Sequence, residues 1–227
     1  LLIVNADDLG LSAAVNAGIA AAHERGIVTS ASLMVRQGAA AAAADYAAAH
    51  PALAVGLHID LGQWDYANGE WMVAYERCAA DDEAAVEGEC RAQLEAFRRL
   101  CGRDPTHLDS HQHVHMSEPA AAVAGRLAAE LGVPLRARGI PYEGGFYGQT
   151  GKGEPVPEGI GVESLVAIVS SLPAGPTELG CHPGLGMADE SSYGAEREVE
   201  VRTLCDPRVR EALEREDIEL RSFADVA

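Results

Sequence analysis

Along this chain, short apolar runs alternate with helical stretches, and the runs end in residues that can do chemistry. Residues 1–4 are wholly apolar and give way to Asn5-Ala6-Asp7-Asp8-Leu9-Gly10. Such a run suits a parallel strand covered on both faces. Ser12 then caps a helix that carries Val15, Ile19 and Ala22 and stops at Gly26. The same alternation predicts strands over 29–35, 53–61, 106–109, 133–136 and 177–181, and helices over 39–50, 81–100, 119–131 and 162–172. Two further helices, 196–204 and 207–216, precede a last strand near 218–223. This order calls for a parallel sheet, open or closed. Asp7 and Asp8, His58, Asp109 with His111, Arg136 and His182 all fall at the ends of predicted strands. A barrel gathers such ends on one face, whereas an open sheet leaves its outer strands far from a shared switch point. The expectation is an α/β fold, a TIM-like (β/α) barrel, complete or incomplete, made by residues 1–227 as a single domain.

A chain of 227 residues with 48% hydrophobic and 23% charged residues can bury a proper core. Its net charge of −18 makes phosphate backbones and anionic membrane surfaces poor partners, so neither nucleic acid nor a membrane is expected. The five cysteines, Cys78, Cys90, Cys101, Cys181 and Cys205, are widely spaced and form no CxxC pair. Zinc-ribbon and thioredoxin chemistry are thereby excluded, and a reduced, cytoplasmic setting is favoured. No segment reaches the roughly 18 uninterrupted apolar residues of a membrane span. Residues 1–4 read as a strand rather than part of a signal peptide.

The densest cluster of chemistry is Asp109-Ser110-His111-Gln112-His113-Val114-His115. On an extended segment, His111, His113 and His115 would share one face with Asp109. Such a run suits one or two metal ligands with the remainder in support, against the alternative of a polar loop rich in histidine. His58, in Gly56-Leu57-His58, taken alone reads as a core histidine at a strand end. The Asp7–Asp8 pair, taken alone, could cap the helix opening near Ser12. His182, ahead of Pro183, is either a proton donor or a neutral core histidine beside Cys181. Arg136 could orient Asp7, hold an acyl oxygen, or form a surface ion pair. His23, His50 and His107 are read as structural. Segment 62–80 has no clear period and holds Trp64, Tyr66, Trp71 and Tyr75. These aromatics either anchor a loop or form a rim on which a sugar stacks. Segment 138–161, rich in glycine and proline, is a long loop of the kind that is usually functional or mobile.

Four motifs together resemble the YdjC-like carbohydrate deacetylases, which include chitooligosaccharide deacetylase and hopanoid-associated relatives. They are Asn5-Ala6-Asp7-Asp8-Leu9-Gly10, Gly56-Leu57-His58, Thr106-His107-Leu108-Asp109-Ser110-His111-Gln112-His113-Val114-His115 and Cys181-His182-Pro183. They occur in the family's order. Leu9 stands where phenylalanine is usual and Gln112 where a further histidine is often found; segments 62–80 and 138–161 match less closely. The resemblance implies metal-dependent removal of an acetyl group from an N-acetylated sugar, using one divalent ion, magnesium or zinc. It implies Asp8, His58 and His111 as metal ligands, with a turn at the aspartate pair that leaves Asp7 as the base. It leans towards a homodimer. His182 is the candidate to protonate the leaving amine, and Arg136, His113, His115 and Trp64 are supporting or substrate-binding candidates.

The chemistry of the residues agrees. Amide hydrolysis needs an activated water, a Lewis acid on the carbonyl and a proton for the departing amine. One aspartate and two histidines leave positions open for water and substrate, as catalytic metals do. By ligand softness the set suits zinc, cobalt or nickel, and the resemblance also admits magnesium. An amidohydrolase or phosphoesterase would typically carry an early His-x-His, which is absent. A non-catalytic sugar-binding protein has no need of a second carboxylate beside a metal.

Overall fold

Strand β1 (Leu2–Leu9) is buried along its whole length and runs through the polar residues that were expected to follow it. In the computed structural model, which describes residues 1–186 and 193–226, it lies inside the sheet between β2 (Ser30–Leu33) and β8 (Thr177–Cys181). Beyond β2 come β3 (Ala54–Ile59) and β6 (Leu108–Ser110); beyond β8 comes β7 (Tyr142–Glu143). All of these pairings are parallel, and the short β9 (Leu220–Arg221) joins the start of β1, also parallel. Among the described residues the order ends at β6 and β7, so the sheet is an open half-barrel rather than a complete TIM barrel. The reason is local. The strand expected over 133–136 is reduced to isolated bridges from Leu135 to Leu108 and to Arg138, and β7 is two residues long, so among the described residues no continuous ladder closes the ring.

Between the strands lie α1 (Ala13–Arg25), α2 (Ala40–Ala49), α3 (Glu83–Cys101), α4 (Ala120–Leu131), α5 (Val162–Ser171), α6 (Ala195–Leu204) and α7 (Pro207–Arg215). Their ends follow from capping. Ser12 Oγ accepts the Val15 N–H, and Asp82 accepts those of Ala84 and Ala85. α1 packs on α6, α3 on α4, and α5 on α7, around one continuous apolar core that includes Ile19, Leu57, Phe97 and Leu213. No helix among the described residues is long and apolar enough to cross a membrane.

Segment 62–80 is not an irregular loop. It forms an antiparallel hairpin of β4 (Gly62–Ala67) and β5 (Glu70–Glu76), separate from the main sheet. Asn68 (φ 54°) and Gly69 (φ 88°) both take the left-handed backbone that a two-residue primed turn requires. The base of the hairpin is pinned by Asp60, whose carboxylate accepts from the Tyr75 hydroxyl (3.0 Å) and from Arg77 (3.1 Å).

α1 approaches the loop after β8 so closely that a Cβ on Gly18 would lie 2.3 Å from Gly184 Cα. Gly88 on α3, by contrast, faces open space. Alanine is preferred to glycine in a helix by about 1 kcal/mol, but backbone overlap costs about 1–3 kcal/mol. Thermal unfolding is therefore expected to show a raised Tm for Gly88→Ala and a lowered one for Gly18→Ala. A Gly18→Ala protein as stable as its parent would contradict the close packing of α1 on this loop.

Candidate functional site

The carboxyl ends of β1, β3, β6 and β8 meet at a cavity of about 290 Å³, with Asp7, Asp8, His58, His111 and His182 on its lining. Adjacent side chains on a strand point to opposite faces, yet both aspartates reach the cavity. Asp8 resolves the conflict: its φ is 66°, in the left-handed region, and the β1–β2 register shifts between Ala6 and Leu9. Asp tolerates this backbone better than most residues. Helix capping does not explain the pair, because Ser12 is the cap of α1.

The histidine run is not extended. β6 ends at Ser110, and His111–Met116 forms a 3₁₀ turn in which Gln112 (φ 49°) and His113 (φ 54°) are left-handed. Ser110 closes the turn by accepting the His115 N–H at 3.0 Å and meeting its Nδ1 at 2.5 Å. The three imidazoles consequently part. His111 faces Asp8, while His113 packs edge-on against Tyr142 and His115 is buried behind Ser110. Among the described residues, neither His113 nor His115 hydrogen-bonds to a carboxylate or to another imidazole. His107 is structural: it lies 3.2 Å from Ser32 Oγ and stacks on Phe223.

Asp8 Oδ1 lies 3.2 Å from His111 Nδ1 and 3.5 Å from His58 Nε2. On the other side of its ring, His58 Nδ1 lies 2.8 Å from Asp109 Oδ1, which fixes the imidazole with Nε2 towards the cavity. His111 Nε2 is buried with no partner. One donor atom from each of Asp8, His58 and His111 can be chosen so that all lie within 4.8 Å of one another. A carboxylate and two imidazoles, one of them with an orphaned buried nitrogen, fit a divalent cation. Asp7, His58 and Asp109 also converge, but Arg136 already neutralises both of those acids.

Arg136 is not a surface residue. Its side chain is fully buried, donating to Asp7 at 2.6 and 2.7 Å and to Glu178 at 2.7 Å, and it lies 2.9 Å from Asp109. It does not line the cavity, and its guanidinium meets the cavity-lining Asp7. Burial opposes ionisation of Asp7, but the Arg136 guanidinium outweighs it and holds the carboxyl below its usual range. Burial works the same way on Asp8 and loses to Arg197 and the two imidazoles. Burial opposes protonation of His58, yet Asp109, Asp8 and Asp7 raise its pKa. Glu178, sharing Arg136 with two other acids, is pushed up to about 7 by burial.

His182 follows β8, with Nε2 3.8 Å from Asp7 Oδ2. Tyr147 and Tyr193 box the ring edge-on, and burial lowers its pKa to about 4, leaving it neutral at pH 7. Trp64 lies outside this cavity, in an adjoining groove.

Two charged residues escaped the sequence reading. Arg197 on α6 donates to Asp8 Oδ2 at 2.7 Å, to the Tyr193 carbonyl and to the His182 carbonyl. In Glu196-Arg197-Glu198 it has the pattern of a solvated helix face, so nothing marked it. Glu178 did carry a signal: a charge within the otherwise uncharged strand 177–181 needs a buried partner.

An open parallel half-barrel with acids and imidazoles gathered at the carboxyl ends of its strands defines the class of protein. The chain belongs to the family described as YdjC-like protein, which matches residues 1–215. It is 32% identical to a carbohydrate deacetylase of Geobacillus stearothermophilus, over 98% of this chain and 96% of that protein. It is likewise 32% identical to a chitooligosaccharide deacetylase of Serratia marcescens, over 100% and 99% of the two chains. A crystal structure from Enterococcus faecalis V583, of a protein named for cellobiose-phosphate cleavage, superposes with a TM-score of 0.82 at 27% identity, covering 100% of this chain and 98% of that one. A family 4 carbohydrate esterase from Streptomyces lividans shares the fold, with a TM-score of 0.57 at 14% identity over 97% and 90% of the chains.

Removing one member of a buried ion cluster costs about 3–5 kcal/mol, because the partners stay behind unpaired. Arg136→Met is expected to lose stability on that scale in urea unfolding. A loss below about 1 kcal/mol would mean that Asp7, Asp109 and Glu178 do not depend on it.

Proposed function

We propose that the protein is a metal-dependent carbohydrate N-deacetylase that hydrolyses the acetamide of an N-acetylated sugar. The observation that carries this proposal is the convergence of Asp8, His58 and His111 beside Asp7 and His182 on one cavity lining. Support comes from the end-to-end similarity to proteins named carbohydrate deacetylase and chitooligosaccharide deacetylase. Asp8, His58 and His111 would hold one divalent ion, and two imidazoles with a carboxylate favour zinc over magnesium. When bound, that ion supplies Lewis-acid polarisation of the amide carbonyl and acidifies a water.

The remaining work belongs to the chain's own side chains. Asp7 is the base. Arg136 and Asn5 hold its carboxylate in a fixed pose, and it accepts the proton of the attacking water. His182 Nε2, on the Oδ2 side of Asp7, passes that proton to the departing nitrogen as the C–N bond breaks, releasing acetate and a free amine. Arg197 fixes Asp8 through Oδ2 and leaves Oδ1 towards the imidazoles. The five cysteines, all unpaired, suit a reducing, cytoplasmic setting.

Acetate release from N-acetylated sugars, followed while divalent metal is titrated, tests these roles. Asp7→Asn is expected to keep its metal and lose about 10²–10⁴-fold in rate, and His182→Ala to behave similarly. Asp8→Asn should bind metal more weakly and recover part of its activity in excess metal. Rescue of Asp7→Asn but not Asp8→Asn would reverse the two roles. Unchanged rates in both would overturn the mechanism.

A further inference from the structure

We propose that Glu200 is a positioning residue for His182, holding it by the main chain and through a pair of tyrosines rather than by a bond to its ring. This rests on the reading of His182 as proton donor to the leaving amine and goes beyond it.

A histidine that moves protons is ordinarily oriented by a partner on its far ring nitrogen. His58 is held in that manner, with Nδ1 2.8 Å from Asp109. His182 is not: its Nδ1 is buried and has no hydrogen-bond partner among the described residues. Its Nε2 comes no nearer to Asp7 than 3.8 Å. The pose of this ring therefore depends on its main chain and on what packs around it.

Helix α6 supplies both restraints. Arg197 and Glu200 lie three residues apart, on one face of the helix, and take hold of both main-chain polar groups of His182. Arg197 donates to the His182 carbonyl at 3.3 Å, and Glu200 Oε2 accepts the His182 N–H at 2.5 Å. The other oxygen, Oε1, accepts the Tyr193 hydroxyl, which in turn accepts the Gly148 N–H at 2.9 Å. The Tyr193 ring stacks on Tyr147 with centroids 4.7 Å apart. Both rings meet the His182 imidazole edge-on, at 5.5 Å and 5.4 Å. One carboxylate thus fixes the backbone from which the imidazole projects and the aromatic box that receives it. Glu200 is fully buried and off the cavity lining, so it acts through these neighbours and not on a bound substrate. Proton transfer demands hydrogen-bond reach, and a displacement of about 1 Å can cost about 10²-fold in rate.

Carbon-13-labelled histidine in the zinc-supplied protein gives a readout independent of turnover. The His182 ring signal, identified by its loss in His182→Ala, is displaced by the ring currents of the two tyrosines. Glu200→Met keeps the side-chain length and removes both acceptors. It is expected to move that signal towards its ordinary position and to leave those of His58 and His111 in place. Its kcat for acetate release should fall about 10–10²-fold, with KM and bound metal unchanged. Glu200→Gln, which retains an oxygen for the His182 N–H, should recover most of both. On a His182→Ala background, Glu200→Met should cost less than about twofold more, because residues acting through one another are not additive. Tyr193→Phe cuts the network at the hydroxyl and should shift the same signal by less, so the role can be read even where Glu200→Met fails to fold. A His182 signal unmoved in every folded protein among Glu200→Met and Tyr193→Phe would overturn the positioning role. A full further loss of rate on the His182→Ala background would do so too. If the parent protein releases no acetate, the deacetylase proposal falls and the His182 signal alone decides the role of Glu200.

Discussion

One guanidinium holds the floor of the cavity together. Arg136 faces Asp7 of β1, Asp109 of β6 and Glu178 of β8, all four side chains being buried. Carboxylates at such depth are tolerated only when paired and hydrogen-bonded. The cluster therefore fixes the relative placement of three strands that do not pair with one another, except β1 with β8. Its influence travels outward: Asp109, held by Arg136 and Ser32, orients His58, and His58 in turn faces Asp8.

The two adjacent aspartates owe their difference to two arginines. Asp7 is gripped through both oxygens by Arg136, whereas Asp8 gives one oxygen to Arg197 and keeps the other towards His58 and His111. A pair that is chemically identical in sequence becomes asymmetric through partners 129 and 189 residues away. A chain with net charge −18 thus places cations beside the pair that most needs them.

Much of this was legible beforehand, and the gaps have physical causes. The strand over 177–181 and the helices around it follow directly from apolar runs and caps. β1 runs five residues past its apolar segment because Asn5, Asp7 and Asp8 find partners in Asp109, Arg136 and Arg197, far along the chain, which no local window contains. Alternation placed His111, His113 and His115 on one face, but alternation assumes extended backbone, and left-handed Gln112 and His113 break it. The hairpin was missed although Asn68-Gly69 is a strong turn signal; the unpatterned aromatics around it hid the two strands. Closure was undecidable in principle, since polar residues at strand ends serve a half-barrel as well as a full one.

The hairpin stands apart from the main sheet, tied at its base by Asp60 and at one flank by Gln112. Two-stranded ribbons have little stability of their own, so these few ties do most of the holding. Everything beyond them, out to the turn at Asn68 and Gly69, can change length or composition without disturbing β1, β3 or β6. The ribbon can accordingly be rebuilt without moving the acids and imidazoles that β1, β3 and β6 carry beneath it.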